Sequence, residues 1–371
     1  MKILKVIATN FKNCANNFEI NFVPVARKTA EDKEYELQEI AEGLYVFSTM
    51  AVVGKNASGK TSALEVLELC YDILNDFRVS PKSFRLNGVH ITMFFYHEGY
   101  IYRYSTGLIE EGLTGHINFD DQELLGKKYY KTGINAIFDF DGSELVRFEG
   151  ELPEDTSNLF FVLKKLQFPA WFYSSMDIGA DAYRTAFQAH RTFGLPEDVI
   201  TKIVKIFDES ITKLEMIDET NYRLVAGGKE EILSGVELYF RLSSGTTKGI
   251  ALYMVVVLSL QNGFDLIIDE IENHFHKTLV ENIISMYKDK TINKKNATLI
   301  FATHYCELLD LFNRQDNIFI TVADEKVRIK NMYTDFDVRT ELLKSKLFYN
   351  NVFKTAVNYD ALMELKKELK K

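Results

Sequence analysis

The amino-acid sequence predicts an α/β protein with a mixed, largely parallel sheet, an antiparallel strand-rich N-terminal part and a helical insertion. Three observations carry this. Apolar runs at 264–268, 298–302 and 317–322 alternate with helical stretches, the pattern of parallel strands joined by crossovers. Residues 84–105 alternate apolar and polar positions around a turn at 97–100, as hairpin strands do. Residues 181–216 contain a single glycine and read as helical, broken at Gly194-Leu195-Pro196.

The elements follow in order. Residues 2–9 and 17–23 are short runs rich in Ile, Val and Phe and read as strands. Residues 27–40 are heavily charged and predict an exposed loop or short helix. Leu44–Phe47 and Ala51–Val53 are apolar, the second running straight into a glycine-rich segment. Ala63–Asp76 has helical spacing, with Leu64, Val66, Leu67, Cys70 and Leu74 on or near one face. Further strands are expected at 134–140 and 144–149, around Asp141-Gly142.

Composition excludes several classes. The chain has 371 residues, 46% hydrophobic and 26% charged, with 5 Pro and 20 Gly, which rules out wholesale disorder and collagen-like repeats. With 44 Lys+Arg against 53 Asp+Glu the net charge is −9, so any nucleic-acid contact is expected to be a local patch. Cys14, Cys70 and Cys306 lie far apart without a CxxC pair, which suits a reducing cytosol and supplies no metal framework. Polar residues interrupt the opening MKILKVIATNFKN too early for a signal-peptide core. The longest apolar stretch, Ile250–Leu260, is half of a membrane span of about 20 residues. A cytoplasmic protein without membrane contact is expected.

Gly54-Lys55-Asn56-Ala57-Ser58-Gly59-Lys60-Thr61 matches G-x-x-x-x-G-K-[ST] at every fixed position, between an apolar strand and an amphipathic helix as the motif requires. Backbone N–H groups of such a loop curl around phosphate oxygens, and the helix dipole points at the same anion. Lys60 is expected on the β- and γ-phosphates and the Thr61 hydroxyl on Mg²⁺, with Ser62 counted with the loop.

Phe264–Ile268 runs into Asp269-Glu270, and adjacent carboxylates at the end of an apolar strand are costly unless a cation or a reaction uses them. Beside a phosphate loop, Asp269 is assigned to Mg²⁺ through water and Glu270 to the base that polarises attacking water. A second apolar run ends in Thr303-His304, where His304 can donate to the γ-phosphate or the water. Leu242-Ser243-Ser244-Gly245-Thr246, ahead of a long helical run, is either plain N-capping or an anion-holding helix start.

This order of motifs resembles the ABC-type ATPase heads, which are P-loop NTPases, and in particular the SMC, RecF and overcoming-lysogenization-defect branch. Ile7–Lys12 resembles the opening of that branch, where the residue matching Lys12 approaches the nucleotide. Asp269–His276, Phe301–His304, Arg314–Ile318 and Arg339 with the aromatic tail 347–353 resemble compact AAA-ATP-like proteins of bacterial abortive-infection and anti-phage systems.

The resemblance implies an ATPase using ATP and Mg²⁺ and a head-to-head homodimer, with higher-order assembly open. Ser243, Ser244 and Gly245 of one subunit would complete the site formed by Gly54–Thr61 of the other, and Asn273 would lie along the dimer seam. Residues 1–180 would form the N-terminal half of the head, 181–235 a helical lobe, and 236–371 the C-terminal half with signature turn, acidic strand and switch histidine. Two departures stand out: Thr246 replaces a common Glu or Gln, and the lid glutamine has only Gln167 as a candidate.

Other features have blander readings. His274 and His276 are two apart, unlike the i, i+4 helical zinc pair, and fit a local structural role. Aromatics at 94–104 and 160–173 fit sheet packing, and Leu365–Lys371 a solvated helix end. No heptad run fills Thr61–Leu242, and neither a long coiled coil nor a nuclease domain after the ATPase is expected. The reading is an ATP-dependent dimer acting as sensor or scaffold of an anti-phage system, triggered by DNA or a phage protein and controlling a separately encoded nuclease or toxin. Its rivals are a DNA repair or recombination ATPase that clamps DNA and a slow ATP-sensing module. A transporter motor fits least.

Overall fold

A computed structural model of the chain describes all residues except 77, 78, 80–83, 112–115, 142, 143, 146–169, 175–181, 195, 274, 340, 341, 354–358, 370 and 371. Two units divide it: Met1–Pro169 with Ala302–Lys371, and Ala170–Phe301.

In the first unit, β1 (Lys2–Thr9) pairs antiparallel with β2 (Phe18–Asn21). A capping box of Thr29 and Asp32 starts α1 (Ala30–Tyr35). Next come the hairpin strands β3 (Leu37–Ala41) and β4 (Leu44–Phe47), turning through Gly43 at φ +75°. The charged segment 27–40 is thus a helix and a strand, and it is not simply exposed, because Asp32 and Glu36 are buried against partners described below. Fully buried β5 (Thr49–Val53) leads through the glycine-rich loop to α2 (Lys60–Asp76).

Then β6 (His90–His97), β7 (Tyr100–Glu110), β8 (Ile117–Lys128) and the short β9 (Glu144–Leu145) complete an antiparallel sheet in the order β2-β1-β6-β7-β8-β9. The β6–β7 turn is Glu98-Gly99, both at positive φ (46° and 85°), the two-residue geometry whose twist suits a hairpin. The strand expected at 134–140 is absent: Lys131–Ala136 is a 3₁₀ turn, and Ile137 and Phe140 pack into a core with Leu4, Val46, Phe94 and Ile101. Lys127 Nζ donates to the carbonyls of Ala136 (2.6 Å) and Asp139, so these groups need no strand ladder. Of 144–149 only Glu144 and Leu145 lie among the described residues.

The second unit holds β10 (Ala170–Ser174), α3 (Ala182–Phe193) and α4 (Glu197–Phe207). After these come β11 (Ile211–Met216), β12 (Asn221–Ala226) and β13 (Lys229–Ser234), a three-stranded antiparallel sheet. This corrects the helical lobe expected over 181–235, since helix stops at Phe207 until residue 235. The cause is turn chemistry. Asp218 Oδ1 accepts from the amides of Thr220 and Asn221 (both 2.9 Å), and Gly227-Gly228 at φ 56° and 77° forms the second turn. On either side of the first turn, Leu214 and Met216 of β11 and Tyr222 and Leu224 of β12 bury alternate positions.

Short α5 (Gly235–Arg241) precedes α6 (Ser244–Asn262), most of whose side chains are buried and whose end is set by Gly263 at φ +82°. The last elements are β14 (Asp265–Asp269), α7 (Lys277–Lys288) and β15 (Leu299–Thr303). β14 lies parallel between β10 and β15. The unit boundary falls inside β15, so Thr303 and His304 belong to the first unit.

The chain closes the first unit with β16 (Ile318–Ala323), parallel to β5, and β17 (Val327–Asn331), antiparallel to β16. Helices α8 (Lys344–Tyr349) and α9 (Tyr359–Glu368) follow. The strands expected at 264–268, 298–302 and 317–322 each lie one residue later.

A buried ionic knot ties α1 to the start of β16. Arg314 pairs with Asp32 (2.7 Å) and Asp316 (2.6 Å) and donates to the carbonyls of Ala26 and Arg27. Glu36 accepts from the amides of Asn313 (2.6 Å) and Arg314 (3.2 Å) and from Asn317 Nδ2 (3.1 Å). Among the described residues, no single helix is long and apolar enough to cross a membrane.

Candidate nucleotide site

In the first unit the loop 54–61 leaves β5 and enters α2. A Cβ at Gly54 would lie 2.4 Å from both Ser58 Oγ and Thr321 Oγ1. Gly59 sits at φ +99°, where a Cβ would meet Val327 Cγ1 at 2.2 Å, so crowding dictates both glycines and conformation dictates Gly59 as well. Ser58 is buried and shares a hydrogen bond with Thr321 Oγ1 (2.7 Å). Lys55, Asn56 and Ala57 face outward, as does Thr61 in the first turn of α2, with Ser62 half-buried behind it. The positive dipole end of α2 therefore begins at the loop, an arrangement that favours an anion.

Lys60 is 6% exposed. Its ammonium donates to the carbonyls of Gly54 and Lys55 (both 3.2 Å) and lies 3.3 Å from His304 Nδ1. An ammonium can only donate, so Nδ1 accepts and the neutral imidazole carries its proton on Nε2. The structure thus brings Lys60 and His304 together. Lys12, at φ +47°, is ion-paired with Glu65 of α2 and stands 3.8 Å from the Phe84 ring centroid, which tethers it to the helix that follows the loop.

In the second unit, β14 delivers Asp269 half-buried at its last position. Glu270 follows at φ +51°, a left-handed conformation costing about 1–2 kcal/mol in a non-glycine residue and typical of functional turns. Its Oε2 accepts from Asn273 Nδ2 (2.5 Å), and the Asn273 amide closes the turn on the Glu270 carbonyl (2.9 Å). Orienting the Glu270 carboxylate is a role for Asn273 that sequence reasoning missed. A side-chain amide three residues after an acid is the signal that could have found it.

Ser243 caps α6, its Oγ accepting from the Thr246 amide (3.0 Å) and bonding the Thr246 hydroxyl (2.8 Å). The capping reading therefore holds for Ser243 and accounts for Thr246, while Ser244 is exposed and Gly245 half-buried at the same helix start. Tyr183 donates to Thr247 Oγ1 (2.8 Å) and Tyr173 to the Lys248 carbonyl (3.0 Å), fixing the first turn. Burial pushes both phenols above their ordinary pKa and keeps them protonated donors.

His276 caps α7, its Nδ1 accepting from the Thr278 amide (3.3 Å), so it is structural. His274 and Gln167 lie outside the described residues. Among the described residues no group of three or more His, Cys, Asp and Glu is arranged to hold a metal.

Known proteins match at two levels. The chain is similar to the solved SMC head bound to the C-terminal winged-helix domain of ScpA, at 12% identity over 90% of this chain and 98% of that one, TM-score 0.45. It is also similar to cbiO1 of Clostridium perfringens, part of the ABC transporter complex cbiONQ, at 15% identity over 99% of this chain and 100% of that one, TM-score 0.35. No curated protein sequence matches it. A family model does, over residues 50–310, from β5 through the loop, the Ser243 cap and the acidic strand to His304 and beyond. With most of its length matched, the chain belongs to the family described as "AAA domain, putative AbiEii toxin, Type IV TA system".

Proposed function

We propose that this chain is an ABC-type ATPase that binds Mg·ATP in the Gly54–Thr61 loop and hydrolyses it between two copies of itself. The observation that carries the reading is the Lys60 ammonium folded onto the loop's own carbonyls and His304, where an incoming polyphosphate offers a stronger, charge-assisted partner. On binding, Lys60 turns from Gly54 and Lys55 to the β- and γ-phosphate oxygens. The Thr61 hydroxyl in the first unit and the Asp269 carboxylate in the second are each hard oxygen donors of the kind Mg²⁺ takes, and the bound ion would neutralise phosphate charge. Glu270, aimed by Asn273, takes the proton of the attacking water, and His304 Nε2–H steadies the γ-phosphate or that water.

The exposed Ser244 and half-buried Gly245 at the start of α6 support a dimer in which this turn closes over the partner's loop, with Lys12 near the nucleotide. The family description, naming an abortive-infection toxin and a type IV TA system, supports a role as sensor or scaffold of an anti-phage system that governs a separately encoded effector.

Titration with a fluorescent ATP analogue tests the site. Lys60→Ala should weaken binding by about a hundredfold, the scale of a lost charge-assisted contact at about 1.4 kcal/mol per decade. Equal affinity in the variant would remove the assignment.

A further inference from the structure

We propose that the β16–β17 hairpin shapes the phosphate loop, with Thr321 and Val327 as positioning residues for nucleotide. This deepens the nucleotide reading above and rests on it. Three contacts converge. The register pairs Ile320 with Val53, so Thr321 stands beside Gly54 at the mouth of the loop. Thr321 is fully buried; its Oγ1 bonds Ser58 Oγ (2.7 Å) and donates to the Val53 carbonyl (3.3 Å). One turn of hairpin later, the Val327 methyls fill the space that a Cβ at Gly59 would need.

Val327 is itself anchored. Its amide donates to the Asn13 carbonyl and its carbonyl accepts from the Ala15 amide (both 2.8 Å). The segment that carries Lys12 and the roof over Gly59 are therefore bonded to one residue. Neither Thr321 nor Val327 offers phosphate a charge. Their effect is to hold Ser58 and Gly59 in one path before an anion arrives, and preorganisation of this kind raises affinity by lowering the cost of ordering. Thr321→Val keeps the shape and removes the hydroxyl, leaving Ser58 Oγ buried without this partner, a loss the loop can relieve only by moving.

The test is titration of the purified chain with fluorescent ADP and Mg²⁺, with melting temperature recorded alongside. Thr321→Val should bind about tenfold more weakly, Thr321→Ser within about twofold of wild type, and Val327→Ala about threefold more weakly. Ile101→Val, in the core at the start of β7, should lower the melting temperature and leave affinity unchanged, because a purely structural loss does not reach the loop. Wild-type affinity in a folded Thr321→Val chain overturns this proposal and leaves the nucleotide reading standing. A flat wild-type titration overturns both. If the Val variant precipitates, Val327→Ala decides, and unchanged binding there counts against the proposal.

Discussion

Replacing Arg314 by Met probes the knot that fastens α1 to β16. The Arg314 side chain is 2% exposed, and its partners Asp32 and Asp316 are 9% and 0% exposed. Methionine fills much of the volume but leaves two buried carboxylates without their cation, and breaking a buried pair in this way costs about 3–5 kcal/mol. At about 2–4 °C per kcal/mol for a unit of this size, the melting temperature should fall by roughly 6–20 °C. Calorimetry or a thermal-shift scan reads this directly. Because the pair is shielded from solvent, the difference should persist at high salt, whereas an exposed pair such as Lys202–Asp198 should contribute little at any salt. Arg314→Lys should fall between the two, since an ammonium cannot span both carboxylates as a guanidinium does. A drop below about 2 °C would refute the idea that the knot holds the unit together.

Three further outcomes are expected. Gly59→Ala should lose more than about tenfold in nucleotide affinity, because alanine is strained at φ +99° and its methyl would press on Val327; an unchanged titration curve contradicts this. Burial lifts the Cys14 thiol to about 11, so it stays protonated near neutral pH, and mass spectrometry should find it alkylated in urea but not in the native chain. Because the folded state holds that proton more tightly than the unfolded one, Cys14 withdraws stability as pH rises from about 9 toward 11, and Cys14→Ser should flatten that limb of the stability curve. Asn273→Ala should slow turnover at unchanged nucleotide affinity, since it releases the Glu270 carboxylate; equal turnover would mean that the hydrogen bond does not aim the base.

The loop, its strand and its helix were legible because the chemistry is local: phosphate binding needs glycine, lysine and threonine at fixed spacing. The Glu98-Gly99 hairpin was legible for the same reason. Misreadings arose where distant partners decide. Residues 134–140 alternate like a strand, yet Lys127 captures their carbonyls and the 3₁₀ turn wins. Residues 211–234 hide a period-two pattern behind many lysines and glutamates, and only the Asp218 and Gly227-Gly228 turns mark it as a sheet. Charge alone suggested exposure for 27–40, but Asp32 and Glu36 find their partners at Asn313–Asn317, most of the chain away. Thr321 carries no motif, and its meaning comes only from the Ser58 hydroxyl beside it.

Under the proposed function two copies meet over ATP and Glu270 lets them part. Light scattering of the Glu270→Gln chain with Mg·ATP reads this out. A stable species of twice the monomer mass is expected, one that neither forms without nucleotide nor survives the added substitution Ser244→Arg. A Glu270→Gln chain that stays monomeric while binding ATP, or that hydrolyses it at the wild-type rate, would contradict it.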